Sequence, residues 1–173
     1  MVCRSSGWLE IGNGDGNMAR VIPFERLRAA REERLRQEAL EGFPWYRMDR
    51  FMDKVMIPTL VYLPEERQIP VCEALYRLAY ESFLLGLTAS QSIFHDRRLP
   101  RIASRPLGWV GIYDEAYEPR GKALIQSIAD EFSLSVILAD WAVESVWIAM
   151  EAMVPEWFSL GVHHGLSQRL EKR

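Results

Sequence analysis

A chain of 173 residues, 49% of them hydrophobic, can bury a core without help from disulfides or a structural metal. Its two cysteines, Cys3 and Cys72, belong to no CxxC or Cys/His spacing, which supports neither a disulfide framework nor a zinc finger and fits a reducing, cytoplasmic compartment. The formal net charge of −3 decides nothing about nucleic acid, but three of the 21 basic residues are lysines (Lys54, Lys122, Lys172) and the rest arginines, a bias that a GC-rich bacterial genome produces.

The N-terminal stretch "GWLEIG" is broken by Glu10 and lacks the apolar run of a signal peptide. "GNGDGNMAR" (Gly12 to Arg20) has the glycines of a phosphate nest, but the "WLEI" before it is too short and isolated to be expected as a first strand, and no Gly-Lys-Ser/Thr ending follows. Residues 1–17 are therefore expected to be a flexible tail or a translated leader ahead of a start at Met18, and residues 18–173 a helical domain.

Prolines punctuate the rest of the chain, because proline suits the first helical position and not the interior. The first expected helix, "PFERLRAAREERLRQEALEG", ends at Gly42 and is charged on nearly every side. The second, from Pro44 to Met56, puts Trp45, Met48, Phe51, Met52 and Val55 on one apolar stripe. "TLVYL" then reads as extended. A third helix, Val71 to Phe94, is apolar nearly all round, and its polar residues Glu73, Arg77, Glu81, Thr88, Gln91 and His95 fill a sector of about 80°.

From His95 to Gly121 the prolines and glycines predict a loop, in which "GWVGIY" can form a short strand beside "TLVYL". A fourth helix is expected over Lys122 to Val154, and a fifth from Pro155 through "EWFSLGVHHGLSQRL", weakened by Gly161 and Gly165. The prediction is an all-α fold: a single helical domain of about five helices, with at most one two-stranded β pair. Val136 to Val154 is long enough to span a bilayer, but the cost of Asp140, Glu144 and Glu151 exceeds what its apolar residues return, so no membrane contact is expected.

Chemistry-bearing patterns are few. Asp140, Glu144 and Glu151 form an acidic seam on the fourth helix, with Ser133 in line. A di-metal bundle site needs Glu-x-x-His, which no histidine here completes, and the seam is best read as an exposed edge or as a partner for arginines such as Arg77. The adjacent His163 and His164 diverge by about 100° on a helix and cannot share a metal face. No GxSxG motif, metal motif or cofactor motif is present, and no catalytic residue, metal or cofactor is assigned.

Arg97, Arg98, Arg101 and Arg105, followed by Trp109, suit phosphate and single-stranded bases as well as an acidic protein surface. Trp157 and Phe158 come after a helix-starting proline and are expected to be exposed for a protein contact. Two functions remain. One is a non-catalytic binding protein, a small subunit or inhibitor of a larger protein or nucleoprotein assembly, with a protein partner, single-stranded nucleic acid or a second copy of itself as candidates. The other is a carboxylate-based enzyme with magnesium or manganese held by Asp140, Glu144 and Glu81.

Overall fold

The helix expected from Pro23 to Gly42 forms over Phe24–Gly42, here α1, with Glu25 in its first turn where the helix dipole favours an acid. It is built from strong helix formers and local pairs such as Arg28 to Glu32, 2.9 Å apart, each worth a few tenths of a kcal/mol. The computed structural model describes residues 8–9, 22–95, 108–138 and 140–171. The chain divides into two compact units, Met1–Glu38 and Ala39–Arg173. In the first, Trp8–Leu9 (β1) pairs antiparallel with Ile22–Pro23 (β2). The rest of the segment expected to be a tail or leader lies outside the described residues.

The second unit holds the core and is helical throughout its described elements. Helix α2 (Trp45–Phe51) passes through a π-helical segment, Met52–Met56, into α3 (Ile57–Leu60). That wider turn changes which residues face inward. In an α-helix every step of four residues overshoots a full turn by about 40°, so an apolar face drifts. A segment bonded from i to i+5 cancels the drift. Met48, Met52, Met56 and Leu60 are all buried as a result, while Trp45 and Val55, expected on the same stripe, are exposed.

Helix α4 (Glu65–Ile93) starts at Glu65 and not at the expected Val71, after Pro64, with Glu65 and Glu66 in its first turn. Pro70 lies inside it. Of the expected polar sector, Glu73, Arg77, Thr88 and His95 are exposed, and Glu81 and Gln91 half-buried. The opposite side, from Val71 to Ile93, is core.

The expected strand pair of "TLVYL" and "GWVGIY" does not form. Thr59 and Leu60 end α3, Val61 and Tyr62 make a turn, and Gly108–Ile112 is helix α5. A second π segment, Tyr113–Tyr117, carries α5 into α6 (Glu118–Glu131). The loop expected to reach Gly121 is thus helical from Gly108 onward, and Pro119 falls within the first turn of α6, directly after the π segment.

The fourth and fifth expected helices are divided in a different place. The break comes at Phe132–Leu138, around the short α7 (Leu134–Ile137), and α8 runs unbroken from Asp140 to Glu171 through Pro155. Ser133 turns the chain in the left-handed region, with φ 51°. An L residue there costs about 1 kcal/mol, so Ser133→Gly is expected to raise stability by that amount in urea unfolding.

α4 and α8 make the most extensive contact in the fold. Glycines set their separation. A Cβ at Gly86 would overlap the Phe158 carbonyl oxygen, and one at Gly161 the Phe83 carbonyl oxygen, so the two backbones touch where they cross. At Gly165 a Cβ would instead overlap the Ser90 hydroxyl, so there the backbone of α8 lies against a side chain of α4. Gly161 and Gly165 are therefore contact surface and not weak points. Among the described residues no helix is long and apolar enough to cross a membrane.

Candidate partner-binding groove

The residues singled out as candidate contacts separate into three sets. Arg97, Arg98, Arg101 and Arg105 lie outside the described residues. Trp157 and Phe158, expected at the surface, are core: they are 2% and 0% exposed. The reason is the continuity of α8 through Pro155, which turns both rings toward the other helices. Trp157 stacks on Phe43, 5.0 Å between centroids and 14° between planes, in a cluster with Phe83 and Trp45. Phe158 lies between Tyr113 and Tyr117 at 5.4 and 4.9 Å. Both tyrosines reach it because the π segment keeps residues four apart on one face.

Trp109 is the third case, and it is half-buried beside an open groove. With Val110 of α5 it faces Ala152, Pro155 and Leu160 of α8 across a volume of 370 Å³. Glu156, Ser159 and His163 supply the polar rim. Ser159 donates its hydroxyl proton to the Pro155 carbonyl at 2.7 Å, so the helix itself occupies that donor. Proline cannot offer an N–H to the preceding turn, and its ring makes an apolar shoulder in its place. The groove could not be read from a chain broken at Pro155, because Ala152 and Glu156 would then lie on separate helices.

The two histidines diverge as their adjacency requires. His163 is exposed at the groove, whereas His164 packs on Phe83 at 5.7 Å and accepts a bond from the Gln168 amide nitrogen at 2.9 Å. The His164 ring occupies the space that a side chain at Gly42 would need.

Of the acidic seam, Glu144 and Glu151 are exposed along the outside of α8. Ser133 has left the line because it lies in the preceding turn, and the Asp140 side chain lies outside the described part of the structure. Arg77 is held elsewhere, by Glu81 at 3.5 Å and Glu131 at 3.8 Å. Among the described residues no group of three His, Cys, Asp or Glu side chains is placed to hold a metal ion.

Two phenols have displaced acidities. Burial, then the charges of Glu118, Asp114 and Glu151, push Tyr113 up from 10.0 to about 12. Burial, then the bond that Tyr76 donates to Asp49 at 2.7 Å, push Tyr76 up to about 12. A folded-state value above the unfolded one favours the protonated, folded form. This contribution is complete below pH 10 and is lost as the pH rises from 10 to 12. Stability measured by urea unfolding should fall over that window, and Tyr113→Phe should flatten the fall.

Compared with protein-family models, curated proteins and solved structures, the chain matches none.

Proposed function

We propose that this chain is a non-catalytic binding protein of a bacterial cytoplasm, a small subunit or inhibitor of a larger protein or nucleoprotein assembly, and that it grips its partner at the Trp109 groove. The observation that supports this reading is the groove itself: a tryptophan, a proline and a leucine left accessible to solvent beside a polar rim. Such a composition, apolar centre and polar edge, is that of an anchor pocket, and tryptophans at such positions carry a large share of binding energy. The groove is open along one side and has few convergent polar groups, which suits a side chain of a macromolecule better than an enclosed small ligand. The arginines at 97, 98, 101 and 105, which come before Trp109 in the sequence, are of a type that suits acidic protein or single-stranded nucleic acid.

The test is purification from the native host with and without nuclease, followed by mass spectrometry of what is retained. Trp109→Ala is expected to reduce the recovered partner at least about tenfold, the loss typical of a central tryptophan. Nuclease treatment separates a nucleoprotein from a protein partner. Equal recovery with wild type and variant would refute the reading.

A further inference from the structure

The outer face of α8 continues beyond the groove. Trp141, Glu144, Ile148, Glu151, Ala152 and Glu156 are all exposed. At 100° per residue they fall within a sector of roughly 140°, a single stripe that ends in the groove. Its apolar members are large for solvent: Trp141 is 51% exposed and Ile148 59%. They lie seven residues apart, two helical turns, and the groove begins one turn beyond.

Its charged members are all acidic. Among the described residues, the cations that Glu151 and Glu156 act on have closer partners, since Lys122 holds Glu118 at 2.7 Å and Arg47 donates to the Tyr46 oxygen at 3.2 Å. No lysine or arginine occurs in the chain between Lys122 and Arg169. Among the described residues the stripe thus offers apolar anchors at helical spacing, flanked by three exposed carboxylates.

We infer that this face docks a basic amphipathic helix of a protein partner, a deepening that rests on the binding reading above. Apolar side chains of such a helix, spaced i, i+4, i+7, would lie along Trp141 and Ile148 and enter the Trp109 groove, and its lysines and arginines would flank Glu144, Glu151 and Glu156. Charge selects this occupant over two others. Phosphates would face three carboxylates, and a second copy using the same face would set glutamate against glutamate.

The probe is a fluorescein-labelled synthetic peptide of about 20 residues, with leucine and tryptophan at helical spacing and lysine or arginine beside them. Two controls accompany it: the same residues reordered to scatter the apolar face, and the same pattern with glutamate replacing every cation. Fluorescence anisotropy with the full chain should show saturable binding of the basic peptide, and binding at least about tenfold weaker for each control. Replacing Glu144, Glu151 and Glu156 together by glutamine should weaken the basic peptide about tenfold, the sum of three exposed pairs, with an unchanged thermal melt. Failure of the basic peptide to bind, equal binding of the acidic peptide, or an unaffected triple variant would each overturn the inference. In the host purification, a partner kept by the triple variant but lost with Trp109→Ala overturns the basic helix alone, while a partner kept by both overturns the binding reading as well.

Discussion

Gly161→Ala is expected to lower the stability of the fold by about 2–3 kcal/mol, as over-packing of a closed contact does. The sign is opposite to what helix propensity alone gives, because alanine in an exposed helix interior is worth about 1 kcal/mol more than glycine. Here the added methyl meets the Phe83 carbonyl oxygen, part of a helix backbone that cannot rotate away, so α4 and α8 must separate. Gly86→Ala should cost a similar amount, since its methyl meets the Phe158 carbonyl oxygen on the opposite helix. Once the helices are apart both methyls are accommodated, and the double variant should cost less than the sum of the singles. Urea unfolding with an unchanged slope measures all three. Additive losses, or a gain of stability for either single variant, would show that the helices do not touch there.

Trp157→Ala should be the most damaging single truncation, at about 4 kcal/mol. Removing a buried aromatic costs about 3–5 kcal/mol through lost transfer energy and the cavity left behind, and stacked pairs add up to about 1.5 kcal/mol beyond area. Trp157 meets both conditions, being fully enclosed and stacked on Phe43. The cavity would open in the aromatic cluster that joins α4, α8 and the residues before α2. Thermal and urea unfolding give the magnitude. Because the ring is hidden, oligomeric state and partner retention should not change at temperatures where the variant stays folded. A variant that keeps wild-type stability yet loses its partner would place Trp157 at a surface after all.

Parts of this fold are legible residue by residue. The bounds of α1 follow from Pro23 and Gly42, and the outward side of α4 follows from the polar sector between Glu73 and His95. The methionine stripe of α2 is legible only in part, since nothing in "DRFMDKVM" signals the wider turn that replaces Val55 by Met56. Around Pro155 local rules point the wrong way. A proline inside a helix costs about 3 kcal/mol, yet α8 continues, because Met153 and Val154 before Pro155 and Trp157 and Phe158 after it are all buried and a break would expose them. A helix that is apolar on most sides gives no periodic signal to contradict the proline. The same local rule turns Trp157 and Phe158 outward and hides the groove. Gly161 and Gly165 mislead for a related reason: propensity counts what a missing side chain loses, and only tertiary structure shows what it admits.

The pairing of α4 with α8 also bears on how quickly the chain can fold. Gly86 and Gly161, which meet at the crossing, are 75 residues apart in sequence. Most helical proteins of this size fold fast because their contacts are between neighbours in the chain. In this chain the central contact must wait until α5, α6 and α7 have been brought round. Folding slower than that of an up-and-down bundle is the consequence, and an α4 that emerges early must hold its apolar side uncovered until α8 arrives.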